Sequence, residues 1–232
     1  MEEIQSALKN VPAIIFDLDR TLHRNTLTMM IGLKFLRRER EAGRALRFYK
    51  NIIFSGLANA PLIGPRWDRQ HSSLKAGAVK LGLRTLFDAL AKSGATKTEI
   101  YAMASEHIAA GANPQTHELL KAAIANQKKI FLTTTGTDIG PNIYSKMYRV
   151  SAWIGNPVKY NGEKIAGCDI KFTGQNITSA LEEMVSKQGL NLKDCAIVAD
   201  DKYYLPAMRA AKLAIASPGA KRKVRAYAEF SI

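Results

Sequence analysis

An apolar run, Ala13 to Phe16, ends in Asp17, and Asp19, Arg20 and Thr21 follow at once. Carboxylates this close repel each other unless a positive group holds them. Two later apolar stretches also end in polar groups. "IFLTTT" runs into Thr133, Thr134 and Thr135, and "CAIVADD" runs into Asp200 and Asp201. Each group alone has an ordinary role: Asp200 and Asp201 could cap the helix that begins near Leu205, and the threonines could simply favour strand. As a set they suit a hard cation. Carboxylate oxygens bind Mg²⁺, which retains waters and bridges to phosphate, and such an ion lets the acids coexist.

The elements that must position these groups alternate. "PQTHELLKAAIANQKK" reads as a helix, "IFLTTT" as a strand, "DIGPNIYSKMY" as a helix with Pro141 near its start. "AWIGNPVKYNGEKIAGC" gives short strands about an Asn161-Gly162 turn. "ITSALEEMVSKQGL" is a helix closed by Gly189, "CAIVADD" a strand, "LPAMRAAK" a helix and "LAIAS" a last strand. Strands alternating with helices predict an α/β fold, a Rossmann-like doubly wound parallel sheet with helices on both faces. Ligands of such sheets bind beyond the carboxyl ends of the strands, where groups distant in sequence converge. Between the first strand and the rest lies a helical block, with periodicity in "LRTLFDALAKSG" and "TKTEIYAMASEHIAAG" and a capping box at Thr96 and Glu99. "APLIGPRW" interrupts it with two prolines and a glycine.

These three strand ends, in this order, resemble the haloacid dehalogenase (HAD) superfamily of aspartate-nucleophile phosphohydrolases. The first motif, an apolar strand then DxDxT, is matched by Asp17, Asp19 and Thr21; the second by "IFLTTT"; the fourth by "AIVADD". The helical insertion after the first motif and the ending "LAIASPGAKRKVRAYAEF" are similar to the phosphoserine-phosphatase-like branch. The resemblance implies a HAD core of residues 1–25 and 113–232, and a helical cap of residues 26–112. It implies Asp17 as nucleophile and Asp19 as general acid, then general base. It implies Mg²⁺ held by Asp17, by Asp19 through its backbone carbonyl, by Asp200 and by the adjacent acid Asp201. Thr21, Thr133 or Thr134, and Arg20 are the expected phosphate contacts.

Three positions depart from the pattern. The third motif's Lys falls at about Ile177, which carries no charge; Lys171, Lys187 and Lys202 are the nearest substitutes. Tyr204 stands where a further acid is usual, and Arg20 where glycine is usual. Two readings follow: a Mg²⁺-dependent phosphatase with an unusual cation partner, or a catalytically weakened relative that binds a phosphorylated ligand or partner without efficient turnover.

Composition sets the remaining limits. The 232 residues carry 34 Lys and Arg against 20 Asp and Glu, a net charge of +14, which favours phosphate-bearing partners. No nucleic-acid motif is present, so charge is the sole argument for that partner. Lys34, Arg37, Arg38, Arg40, Arg44, Arg47 and Lys50 interleave with Phe35, Leu36, Leu46, Phe48 and Tyr49. A basic amphipathic helix of this kind suits either a solvated cap face or peripheral contact with an anionic membrane. The resemblance, which extends to phospholipid-precursor phosphatases with caps of this type, implies a small or lipid-linked phosphate ester as substrate. "IIFSGLANAPLIG" reads as buried core and not as an anchor. No run approaches a membrane span, the first residues lack the order of a signal peptide, and Cys168 and Cys195 lack metal or redox spacing. A cytoplasmic location is expected.

Overall fold

The computed structural model describes residues 2–59 and 71–232, with side chains described outside 55–80. The broken stretch "APLIGPRW" and the second half of "IIFSGLANAPLIG" lie outside those limits.

A short first helix, α1 (Glu2–Leu8), precedes strand β1 (Ala13–Asp17). Among the described residues an inserted block of four helices follows: α2 (Leu27–Glu41), α3 (Ala45–Asn59), α4 (His71–Lys92) and α5 (Lys97–Gly111). Then α6 (Pro114–Ala125), β2 (Lys129–Thr137), α7 (Ile139–Met147) and β3 (Ala152–Asn156) follow. A hairpin of β4 (Val158–Asn161) and β5 (Lys164–Cys168) leads to α8 (Ile177–Ser186), β6 (Cys195–Ala199), α9 (Leu205–Ala210), β7 (Leu213–Ala216), α10 (Arg222–Arg225) and β8 (Phe230–Ser231).

Six strands form one parallel sheet in the order β3-β2-β1-β6-β7-β8. The order reverses at β1, so the crevice between the ends of β1 and β6 is the topological switch point. Period-two alternation divides the strands between two apolar cores. Ile14, Phe16, Ile130, Leu132, Ala196 and Val198 face the cluster shared with α1, α6, α7 and the four inserted helices. Ala13, Ile15, Phe131, Cys195 and Ile197 face Ile177, Leu181 and Met208 of α8 and α9. With both faces covered, β1 is buried throughout, Asp17 included.

The inserted helices close on Leu27, Ile31 and Phe35, one turn apart on α2, with Phe48 of α3 at 5.1 Å from the Phe35 ring and Phe87 of α4. The expected single basic helix is two: Gly43 takes φ +70°, which turns the chain between α2 and α3. One of its charged groups is interior to the block and two arginines fold over it. Glu39 is buried and accepts from Arg44 Nε at 3.0 Å and Nη2 at 2.9 Å, while Arg38 lies 4.1 Å over Phe35 and bonds Glu39 and Glu99. The Thr96–Glu99 capping box forms as read, and Thr96 bridges to Lys164 of the hairpin.

A two-stranded neck joins the inserted helices to the sheet. Asn113 N–H donates to Leu22 and Arg24 N–H to Gly111, both at 2.9 Å, around a bridge between His23 and Ala112. His23 is fully buried there, 6.2 Å from the His107 ring and 5.3 Å from Tyr144, whose hydroxyl lies 3.0 Å from His117 Nε2. Burial first, and the neighbouring His107 and His117 second, push the His23 pKa down to about 3.

A base depressed in the folded state loses stability as pH falls, because the unfolded chain takes the proton first, near 6.5. Between pH 6.5 and 5 this group removes about 2 kcal/mol. Urea unfolding at the two pH values should therefore show a smaller acid loss in His23→Leu than in the parent. Equal losses would mean that His23 does not set the acid limit.

Candidate active site at the end of the central strand

The parallel register sets Asp17, the last residue of β1, opposite Thr133 of β2, with Asp200 directly after Ala199, the end of the neighbouring β6. Asp17 is buried. One carboxylate oxygen, Oδ1, accepts from the Tyr204 hydroxyl at 2.8 Å, and Oδ2 accepts from Thr21 Oγ1 at 3.2 Å. Burial lifts the Asp17 carboxyl well above the usual range, and the Asp200 and Asp19 charges add to it. Burial, then the Asp17 charge, also keep the Tyr204 phenol protonated and therefore a donor.

After Asp17 the chain makes a wide turn, Leu18 to Leu22, closed by His23 N–H to the Leu18 carbonyl at 3.0 Å. The turn aims the Asp19 side chain away from Asp17. Its Oδ1 accepts from the Leu27 N–H at 2.7 Å, the first residue of α2, and its Oδ2 from Thr134 Oγ1 at 3.2 Å. Thr134 Oγ1 in turn accepts from the Gly136 N–H at 2.8 Å. Gly136 is needed here, since a Cβ would come within 3.0–3.2 Å of the Thr134 and Thr28 hydroxyls and an Asp19 oxygen. Burial raises the Asp19 carboxyl despite the Leu27 amide and the Thr134 hydroxyl, which act the other way.

The acids of β6 differ from each other. Asp200 is buried, and burial pushes its pKa up to about 6 against the pull of Arg20. Its Oδ2 lies 2.9 Å from Arg20 Nη2, without the alignment of a hydrogen bond, so that oxygen has no hydrogen-bond donor. Asp201 has both oxygens engaged: Oδ1 accepts from the Tyr203 N–H at 3.3 Å, and Oδ2 from Arg20 at 3.2 Å and from Lys221.

The expected site residues are placed as follows. Asp201, expected among the metal ligands, is committed to Lys221 and to capping the turn that begins at Lys202, and the Asp19 side chain is committed to Leu27 and Thr134. Arg20, expected on phosphate, takes φ +60° and pairs with Asp200 and Asp201. Thr133 is buried behind the cleft, Thr134 holds Asp19, and Thr135 lines the opening. Ile177 is buried in the apolar cluster that includes Tyr204. Lys187 pairs with Glu183 at 2.6 Å on the exposed side of α8, Lys171 is exposed, and Lys202 reaches no acid among the described residues. The cations beside the acids are Arg20 and Lys221. The run "PGAKRK" was the only sequence signal for Lys221, which the turn after β7 carries back so that its N–H donates to the Asp200 carbonyl at 3.0 Å.

The cleft above these groups has a volume of about 200 Å³. Asp17, Asp200 and Tyr204 lie on its sheet side, and Thr26, Thr28 and Leu83 on the side of the inserted helices. Among the described residues no three His, Cys, Asp or Glu side chains form a ready metal cage. A cation would rest on two carboxylates, Asp17 and Asp200, with the Asp19 carbonyl as the further ligand that the resemblance implies. The donors fit a hard ion: all are oxygen, Asp200 Oδ2 lacks a hydrogen-bond donor, and the repulsion that raises Asp17 is the kind a divalent cation relieves.

No family model and no curated protein matches the chain. Solved structures do. A substrate-bound phosphoserine phosphatase superposes with a TM-score of 0.65 at 18% identity, over 97% of this chain and 93% of that one. A phospho-aspartyl intermediate analogue of phosphoserine phosphatase gives 0.61 at 19%, over 97% and 94%. A HAD family hydrolase from Salmonella enterica serovar Typhi gives 0.63 at 17%, over 96% and 68%. At these identities the likeness is one of fold: the chain shares the α/β fold of these proteins.

Two predictions follow from the acids. A carboxyl raised in the folded state stabilises the fold below its unfolded pKa, and this is lost as pH rises from about 3.8 through about 6, the Asp200 value. Mg²⁺ must displace those protons, so its stabilisation should be absent near pH 4 and full by pH 7. At 100-fold excess over Kd it amounts to about 2.7 kcal/mol, roughly 5–10 °C in Tm for a chain of this size. A Mg²⁺ increment independent of pH would place the ion elsewhere. Arg20→Gly suits the left-handed backbone and removes the cation beside Asp200, so calorimetry should show Mg²⁺ binding severalfold tighter; weaker binding would make Arg20 part of the cation's support.

Proposed function

We propose that this chain is a Mg²⁺-dependent phosphomonoester hydrolase that works through an aspartyl-phosphate on Asp17, with residues 26–112 as its cap. The observation that carries the reading is the arrangement of Asp17. It ends the central strand at the switch point, is bound by Tyr204 and Thr21, and lies beside Asp200 and behind the separately held Asp19.

The steps follow from the side chains. An Asp17 oxygen attacks phosphorus, and the bond from phosphorus to the ester oxygen breaks. Asp19, raised by burial and so able to hold a proton, gives that proton to the departing alkoxide. A water then loses a proton to the Asp19 carboxylate and attacks the same phosphorus, releasing phosphate and restoring Asp17. Tyr204, standing where a further acid is usual, fixes the rotamer of Asp17 by a hydrogen bond from its uncharged hydroxyl. Bound Mg²⁺ would supply neutralisation of phosphoryl charge. Thr28 and Leu83 close the cleft from the cap side and limit water.

The substrate class is a phosphorylated small molecule or a lipid-linked phosphate ester, the latter met at a membrane face. Buried, unpaired Cys168 and Cys195 accord with a cytoplasmic location. Arg20 on Asp200 is the observation that favours the second reading, a binder with poor turnover.

Hydrolysis of p-nitrophenyl phosphate should vanish in EDTA, return with Mg²⁺ and be abolished in Asp17→Asn without loss of fold. A hydrogen bond to a charged group is worth about 1.5–3 kcal/mol, so Tyr204→Phe should lower kcat roughly ten- to a hundredfold with little change in KM. Phosphate or ester binding with no turnover in the parent protein would select the second reading. Activity persisting in Asp17→Asn would remove Asp17 as nucleophile.

A further inference from the structure

The outer face of α2 and α3 has no partner among the described residues. Leu46 is 69% exposed, Phe54 61%, Ile53 59%, Leu33 51% and Tyr49 50%. Singly exposed apolar residues are ordinary, but these are grouped. Leu46, Tyr49 and Ile53 recur at three- and four-residue spacing along one stripe of α3, and Phe54 adjoins it. Tyr49 also borders a groove of about 550 Å³ whose α2 wall includes Leu33, Leu36, Arg37 and Arg40. The opposite faces of both helices are already used, by Ile31 and Phe35 on α2 and Phe48 on α3.

The charges of this face separate into two groups. Arg38 and Arg44 are tied to Glu39, and Arg37 to Glu41 at 3.0 Å. Arg40, Arg47 and Lys50 are exposed and make no ion pair with an acid among the described residues. From Leu27 to Phe54 the chain has seven basic residues against the two acids Glu39 and Glu41, and both acids are paired. An apolar stripe flanked by unpaired cations is complementary to a surface that is anionic at its boundary and apolar just below it. No helix among the described residues is long and apolar enough to cross a membrane, so the matching geometry is a helix lying on the surface.

We infer that the outer face of α2 and α3 docks on an anionic lipid bilayer. Leu46, Tyr49, Ile53 and Phe54 seat at the headgroup boundary, and Arg40, Arg47 and Lys50 meet lipid phosphates. The docking is independent of the phosphoryl chemistry, since none of these residues lines the catalytic cleft.

The test is co-sedimentation of the full chain with phosphatidylglycerol–phosphatidylcholine vesicles and with pure phosphatidylcholine vesicles, at low and high salt. Binding is expected to the first alone and to weaken with salt. Each basic group near an anionic surface contributes roughly fivefold, so Arg40→Ala/Arg47→Ala/Lys50→Ala should weaken binding on the order of a hundredfold. Leu46→Ser/Phe54→Ser should weaken it by at least roughly tenfold. Both variants should keep the parent's thermal stability and its turnover of a soluble aryl phosphate. Three results would overturn the inference. One is no binding to phosphatidylglycerol vesicles at low salt. Another is binding untouched by Leu46→Ser/Phe54→Ser and matched by RNA, which would reduce the face to general charge. The third is a dimer in sedimentation velocity that Leu46→Ser/Phe54→Ser dissolves, which would give the face to a second copy of the chain.

Discussion

Two carboxylates, Asp17 and Asp200, are held out of water at the carboxyl ends of two adjacent strands with half-buried Asp19 beside them, and the surrounding structure answers that constraint. An ionised carboxylate in such a place is costly unless donors or cations reach it. Tyr204 and Thr21 reach Asp17, Leu27 and Thr134 reach Asp19, and Arg20 reaches Asp200. These partners come from four separate parts of the chain. Moving β1 by one residue against β6 would carry Asp17 away from Asp200 and turn Ile14 and Phe16 out of the core they fill, so the apolar pattern of the strands fixes the spacing of the acids.

The strand ends were legible because an apolar run that stops at an acid is local, and parallel topology then forces such ends together. Ala13 to Asp17, Lys129 to Thr137 and Cys195 to Ala199 needed nothing from outside their own windows. What the acids bind to was less legible. Lys221 lies 20 positions beyond Asp201 and meets it because a turn follows β7, a return no window-based reading includes. Arg20 looked like a substitute for glycine, and it does adopt glycine's backbone region, but the direction of its side chain depends on β6. Tyr204 stood out as a missing acid; that it supplies the donor to Asp17 rests on the turn from Lys202 to Tyr204. The break at Gly43 was signalled by composition alone, and helical periodicity on both sides concealed it. The neck histidines gave no signal, since His23, His107 and His117 meet through three different elements.

The positive charge of the chain has two uses that composition cannot separate. Arg38 and Arg44 are structural: they neutralise buried Glu39, and Arg38 also covers the Phe35 ring. A guanidinium suits this work because its planar fork bonds a carboxylate at two points and stacks on an aromatic face. Arg20 and Lys221 form a second group, facing inward to the acids. The formal net charge therefore overstates what the surface offers a partner.

The bond from the Leu27 amide to Asp19 joins the proposed proton donor to the first turn of the proposed cap. A carboxylate accepts that bond more strongly than a carboxylic acid does, so proton loss from Asp19 and seating of α2 favour each other, and by reciprocity each strengthens the other to the same extent. In the proposed cycle Asp19 loses its proton as the alcohol leaves, which draws the cap down while the phospho-enzyme is most exposed to the wrong nucleophile. It regains the proton as water attacks, and the latch slackens just as phosphate has to depart. One hydrogen atom would thus serve as both reagent and clock.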